Sequence, residues 1–341
     1  MDGQVARKWL DVHSPAVVEL LGNVALLGLG LLVAIALLEG LTRVWVPISP
    51  GTRVVTADGR PVDIHCGSRL RLCPGLAVHE VSSEFDVTVT LTDKGNRVPG
   101  SAAPDLAFIG DSFTIGTGLE DDETFVHRYC AATGRACVNL GRSGTGTAEQ
   151  LDVLEHYLRS EGWRPREVRL FMLVMTTALM AGNDLADNVR HATGAAAGED
   201  LLAAVAGSRR AILARSNLAR VFYFNFGPLL RSLLSPTPPA AMLDAALEAT
   251  RAQLLRLDAL SRTHGFRYRI YLLHPVQDLL RGTYHRTEEA LRRVVPPGAS
   301  LTGTAAALLD DPTRYYYPYN GHFNAAGAEA VTKLLLHESP A

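Results

Sequence analysis

The chain has 341 residues, 47% of them hydrophobic and 20% charged, with a formal net charge of −2. That length accommodates one large α/β domain with additional elements. There is no basic run and no interleaving of aromatic with basic residues, which excludes the electrostatic footprint of a nucleic-acid binder.

Residues 1–16 read as a short polar tail. Leu20–Leu38 (LLGNVALLGLGLLVAIALL) then runs for 19 residues without a charge, and Asn23 is its only clearly polar side chain. At about 1.5 Å per residue this nearly matches the roughly 30 Å hydrocarbon core of a bilayer. A buried core helix is disfavoured because the run is apolar on all faces and precedes the first motif of the soluble domain. Ala34-Ile35-Ala36 resembles a signal-peptide cleavage site, but it lies inside the apolar run, which exceeds the usual signal core of about 7–15 residues. The expectation is an uncleaved transmembrane helix over residues 17–40. Arg7 and Lys8 before it balance Arg43 and Arg53 after it, so the positive-inside rule gives no orientation.

The cysteines favour one side. Cys66 with Cys73 and Cys130 with Cys137 form two equally spaced pairs. An even count of close pairs suits two disulfides in an oxidising compartment, and so a domain held outside the cytoplasm, periplasmic or extracellular. The alternative is four buried thiols. A zinc site is disfavoured because paired ligands usually lie closer in sequence, and no other metal constellation is visible.

Residues 41–100 read as a linker and small β extension. Trp45 and nearby prolines lead out of the apolar run, and Phe85–Thr92 (FDVTVTLT) alternates like a half-buried strand before the turn-prone Asp93–Asn96. From there to residue 341, strands alternate with helices. Asp105–Ile109, Ala136–Leu140, Val168–Met175 and Phe266–Leu273 read as strands. Thr124–Ala132, Thr147–Arg159, residues 199–234, residues 241–264 and Asn324–His337 read as helices, the last with Asn324 as N-cap. Ser235–Pro239 reads as a Pro-rich loop. This alternation implies an α/β fold with a mostly parallel sheet covered on both faces.

In such sheets sites form beyond the carboxyl ends of strands. Gly110-Asp111-Ser112 follows the first strand and Asn139–Gly144 the second. Gly182-Asn183-Asp184 comes shortly after the third, and Asn320-Gly321-His322-Phe323-Asn324 lies near the chain end. Each is a weak signal alone; their order and placement are specific.

The constellation resembles the SGNH/GDSL hydrolase family over roughly residues 104–335, and GDSFTIGTGLEDDETF is similar to its bacterial branch with an N-terminal membrane helix. The resemblance implies a flavodoxin-like three-layer α/β/α sandwich and hydrolysis or transfer of ester-linked acyl groups by a serine; with no metal constellation and no glycine-rich phosphate loop in the sequence, cofactor-free catalysis is the expectation. It maps Ser112 to the nucleophile, Gly144 and Asn183 to the oxyanion hole, and His322 to the general base. A serine hydroxyl needs such a base, and its own N–H at a helix start can face a developing oxyanion. Asp111 is expected to fix the turn and Asp184 to cap the next helix. Among the other histidines His274 is the competitor, because it ends a strand at the same rim.

Relatives usually place an Asp two or three residues before this His; here those positions hold Asn320 and Tyr319. Either Asn320 orients the ring through its carbonyl oxygen, or Asp310 or Asp311 folds in, or the enzyme is impaired. The expected partners are an acyl-ester substrate, glycan or lipid, and the membrane. The alternatives are an O-acyltransferase acting on a polysaccharide and a catalytically weak envelope scaffold. Tyr315, Tyr316, Tyr317 and Tyr319 either stack a sugar near His322 or pack the last loop on the sheet.

Overall fold

A computed structural model describes residues 15–49, 51–68, 70–175, 184–193, 211–234 and 240–338. Two units are distinguished, Met1–Pro50 with Gly207–Gly227, and Gly51–Ala206 with Pro228–Ala341.

The first unit is built on α1 (Pro15–Trp45). Val18–Trp45 reaches a mean hydropathy of 2.4 with none of that window buried, and it is the one helix among the described residues long and apolar enough to cross a membrane. Leu27 and Leu32 are exposed, as are the large apolar side chains on every side of the helix around them. At its carboxyl end the helix continues about two turns beyond the apolar run itself, to Trp45.

In the second unit a three-stranded antiparallel sheet comes first: β1 (Arg53–Val55), β2 (Ala77–Val81) and β3 (Asp86–Thr90). The alternation in β3 is real, with Val87 and Val89 buried and Asp86 exposed. Their apolar side chains join Ile64, Leu72 and Leu91 in a small core that closes on Ile115. The Cys66–Cys73 disulfide ties the loop between β1 and β2.

The main sheet runs in the order β4 (Arg97–Gly100), β6 (Cys137–Asn139), β5 (Leu106–Gly110), β7 (Glu167–Leu173), β8 (Arg267–Leu273), β9 (Ser300–Gly303). Five strands are parallel and β4 alone pairs antiparallel, with β6. The parallel strands thus follow the flavodoxin-like order, in which the chain reverses direction of sheet growth beside β5. Their side chains alternate strictly. Ala107 and Ile109 face a core shared with α4 (Thr147–Ser160) and α7 (Ala240–His264), through Leu151, Leu154, Leu254 and Leu257. Leu106 and Phe108 face the other core, shared with α3 (Phe125–Thr133) and α10 (Ala325–His337), through Phe125, Tyr129, Val331 and Leu335. Three layers result.

Several elements differ from the sequence reading. β4, which a boundary at residue 101 leaves with the extension, belongs to the main sheet. β9 is short and mostly half-exposed, so it has no apolar run to announce it. The short helices α8 (Val276–Arg281) and α9 (Tyr284–Arg292) carry too few apolar residues to give a clear period. Of the expected helix over 199–234, α5 (Asp184–Thr193) precedes it and α6 (Asn217–Leu234) fills its second half; residues 199–210 and the Pro-rich Ser235–Pro239 lie outside the described residues. The Cys130–Cys137 disulfide closes the α3–β6 connection, as the cysteine spacing suggests.

Arg97 joins the two sheets. Its guanidinium is fully buried and donates to the carbonyl oxygens of Ile115 (3.0 Å), Gly116 (2.6 Å) and Thr88 (3.3 Å), and to Asp121 (3.1 Å). Removing one partner of a buried charged cluster leaves the others dry and unpaired. Arg97→Ala should therefore cost about 3 kcal/mol or more, read as a fall in Tm of roughly 6–12 °C in detergent by near-UV circular dichroism. An unchanged Tm would refute that role.

Candidate active site

Ser112 opens α2 (Ser112–Ile115), the single turn that leaves β5. Asp111 is its N-cap: the buried carboxylate accepts from the Phe113 N–H at 2.9 Å and so fixes the turn. Burial pushes its pKa up to about 7. The Ser112 N–H sits at this helix start and finds no acceptor among the described residues.

The loop after β6 packs directly against α2. Asn139 donates through Nδ2 to the Thr114 carbonyl at 2.9 Å and accepts from the Gly141 N–H at 3.0 Å. A Cβ at Gly141 would lie 2.2 Å from the Ile115 nitrogen, so only glycine permits this approach. Gly144 adopts φ +70, a left-handed conformation that glycine takes without strain. Beside it, the Ser143 hydroxyl lies 3.5 Å from Thr117 Oγ1. Asn183 lies outside the described residues.

Asp184 corrects an expectation. Instead of capping α5, its buried carboxylate accepts from Thr147 Oγ1 (2.7 Å), the Leu173 N–H (2.8 Å) and Gln150 Nε2 (3.3 Å). It therefore clamps the end of β7 to α4. Burial, with the charge of Asp111 added, raises its pKa well above the usual carboxylate range.

His322 arrives on the turn before α10. Asn324 caps that helix, accepting from the Ala326 and Gly327 N–H groups. The imidazole Nε2 is 2.7 Å from Ser112 Oγ, and Nδ1 is 2.5 Å from Asn320 Oδ1. The ring packs against Phe113, centroids 4.8 Å apart. Asn320 in turn donates through Nδ2 to Thr52 Oγ1 at 3.1 Å, which orients its carboxamide with the oxygen toward the ring. A carbonyl oxygen only accepts, so Nδ1 carries the proton and Nε2 is left to accept from the serine hydroxyl. Part of the His322 surface reaches solvent, yet the surrounding protein strips most water from the ring. That desolvation lowers its pKa to about 4, offset in part by the hydrogen bond with Asn320.

The competing carboxylates are engaged elsewhere. Asp310 accepts from the Tyr315 hydroxyl at 2.6 Å, and Asp311 caps its own turn through Thr313. His274 is fully buried, with Nε2 3.2 Å from Glu288, and its carbonyl accepts from the Tyr316 hydroxyl. Tyr317 donates to the Gly118 carbonyl at 2.7 Å and packs on Phe85. These tyrosines pack the last loop; only Tyr319 and Tyr317 stay partly exposed. Among the described residues no group of His, Cys, Asp and Glu is arranged to hold a metal ion.

Two residues of the small sheet hold the site and escaped the sequence reading. Glu84, in the β2–β3 turn, accepts from the consecutive N–H groups of Tyr319 (3.0 Å) and Asn320 (2.6 Å). Glu80, buried on β2, accepts from the Gly118 N–H at 2.9 Å. An acidic side chain in a strand turn looks like solvated surface, and nothing local marks it otherwise.

Residues 108–330 match the GDSL-like lipase/acylhydrolase family. The chain belongs to that family. As a member of this GDSL/SGNH esterase family it is an ester-hydrolysing enzyme. Comparison with curated protein sequences finds no match. Among solved structures, an acetylxylan esterase from Geobacillus stearothermophilus is 15% identical with a TM-score of 0.38, covering 70% of this chain and 94% of its own. An α/β hydrolase from the metagenome of Lake Arreo, Spain, is 16% identical with a TM-score of 0.38, over 70% and 95%. A carbohydrate esterase family 2 enzyme with a carbohydrate-binding domain, from Corynascus thermopiles (Myceliophthora fergusii), is 13% identical with a TM-score of 0.35, over 84% and 86%.

The fold favours neutral His322, since its pKa falls from 6.5 to about 4. This contribution to stability is complete above pH 6.5 and is lost as pH falls toward 4. The acidic limb of kcat/KM in this GDSL enzyme should accordingly lie near pH 4. Asn320→Asp, which places a negative charge beside the imidazolium, should move that limb upward; an unmoved limb would contradict the assigned hydrogen bond. Glu84→Ala should lower kcat/KM by roughly tenfold, about 1.4 kcal/mol, with little change in Tm. An unaltered rate would remove Glu84 from the account.

Proposed function

We propose that the protein is a membrane-anchored serine esterase acting outside the cytoplasm on acyl esters of an envelope glycan or lipid. In this reading Ser112 is the nucleophile, His322 the general base and Asn320 the residue that orients it. The observation that carries the reading is the continuous relay from Ser112 Oγ to His322 Nε2 (2.7 Å) and from Nδ1 to Asn320 Oδ1 (2.5 Å).

His322 takes the hydroxyl proton as Ser112 Oγ attacks the ester carbonyl carbon. The developing oxyanion is held by the Ser112 N–H, with the Gly144 N–H and the Asn183 carboxamide as further donors; each such donor is typically worth about 3–4 kcal/mol. Imidazolium then returns its proton to the leaving alkoxide, which departs as an alcohol. Water, deprotonated by His322, attacks the acyl-serine, and the carboxylic acid leaves as Ser112 regains its proton. Asn320 keeps the productive tautomer but adds no charge to steady the imidazolium, so turnover is slower than for an Asp in that place.

Anchoring through residues 17–40 is supported by the length and hydropathy of α1. An extracytoplasmic catalytic domain is supported by the two disulfides, which persist in oxidising compartments.

A fluorophosphonate probe should label the intact protein at Ser112 and fail to label Ser112→Ala. Hydrolysis of p-nitrophenyl acetate should fall by at least about 10³-fold in Ser112→Ala and in His322→Ala. A native protein that neither labels nor hydrolyses would favour the scaffold alternative.

A further inference from the structure

The first unit contains a second apolar surface whose position is fixed by the end of the anchor. The uncharged run of α1 stops at Leu38, and the next residue is Glu39. Its carboxylate accepts from Ser216 Oγ (2.8 Å), the Asn217 N–H (2.8 Å) and the Leu218 N–H (2.9 Å). The two N–H groups lie in the first turn of α6 and have no partner within that helix, so Glu39 caps it from another segment.

The cap is reinforced on both sides. Arg43, held by Glu39 at 2.6 Å, donates to the Arg215 carbonyl at 2.7 Å. Asn217 is buried; it accepts from the Ile48 N–H and donates to the Val46 carbonyl, each at 2.9 Å. Arg220 donates to the Leu213 carbonyl and to Asn217 Oδ1. The first turn of α6 is therefore bound at the level where the apolar run of α1 ends.

From that turn α6 presents aromatic side chains outward. Phe222 and Phe226 are 55% and 50% exposed, one turn apart, with ring centroids at 5.1 Å. Ile212, just before the helix, is 58% exposed, and Trp45 at the end of α1 is 77% exposed. Phe222 lies about 7.5 Å along the helix axis from Asn217, which keeps it within reach of a headgroup layer. Exposed phenylalanines are costly in water and favourable at the bilayer interface.

We propose that the amino-terminal part of α6 is an interfacial helix, which inserts Phe222 and Phe226 into the lipid headgroup and upper acyl region beside the end of α1. The surface partner is the bilayer itself, and the protein thereby makes a second membrane contact in addition to its span. This rests on reading α1 as a membrane span. Its support is the hydrogen-bonded junction at Glu39, which holds the start of α6, with its exposed phenylalanines, at the end of the apolar run of α1.

The described cysteines are all disulfide-bonded, so single introduced thiols can be labelled selectively. Leu29→Cys, Phe222→Cys and Phe226→Cys would each carry an environment-sensitive fluorophore, in the full chain reconstituted into phosphatidylcholine–phosphatidylglycerol vesicles. Nitroxide lipids labelled near the headgroup or near the chain end would serve as quenchers. The probes on α6 should lose fluorescence to the shallow nitroxide more than to the deep one, and the Leu29 probe the reverse. If Leu29 is quenched but both α6 probes emit as in water, the interfacial helix is wrong and the anchor stands. If Leu29 is unquenched, the span fails and the inference with it. Blue-shifted but unquenched α6 probes, changing with protein concentration, would mean that a second copy of the chain covers the surface, which also overturns the proposal.

Discussion

A serine hydroxyl attacks an ester only if its proton has a place to go, and in the proposed mechanism that place is one imidazole nitrogen carried 210 residues further along the chain. Most of the catalytic unit can be read as the means of holding that 2.7 Å contact. The Asp111 cap sets the turn that presents Ser112, and the Asn324 cap sets the turn that presents His322. Between them, Phe113, itself packed on the buried Phe323, gives the imidazole an apolar surface to rest on.

The relay ends on an amide where relatives usually carry a carboxylate. Burial favours neutral His322 and so keeps it able to accept a proton, but the same burial makes the imidazolium of the proposed attack harder to sustain. A neutral Asn320 gives direction without charge. What it lacks in electrostatics is partly compensated in rigidity: Thr52 fixes the amide plane and Glu84 fixes the two main-chain N–H groups that precede it. In this GDSL enzyme the small antiparallel sheet is thus a support for the candidate active-site loop, tied to the turns after β5 again through Glu80 and Arg97.

Much of this was legible from the chain alone, where the signal was local. Short apolar strands followed by small-residue turns gave β5, β6 and the positions of Ser112 and Gly144; Asn324 announced α10; alternation gave β3. The unreadable parts are those whose meaning depends on distant residues. Glu84 bonds to groups 235 and 236 positions away and Thr52 to one 268 away, and no local pattern carries that information. Asp184 looks like an ordinary helix cap until β7 and α4 are placed beside it. Arg97 looks like a surface charge until carbonyl oxygens surround it. β4 reads as part of the extension because an antiparallel edge strand four residues long has no partner in sequence.

The tautomer of His322 tests the account most directly. With ¹⁵N-histidine in the full chain, and the signal assigned by its loss in His322→Asn, the neutral ring should carry its proton on Nδ1 and leave Nε2 bare. A proton on Nε2 at neutral pH would mean that Asn320 does not accept from the ring and that Ser112 has no base to activate it.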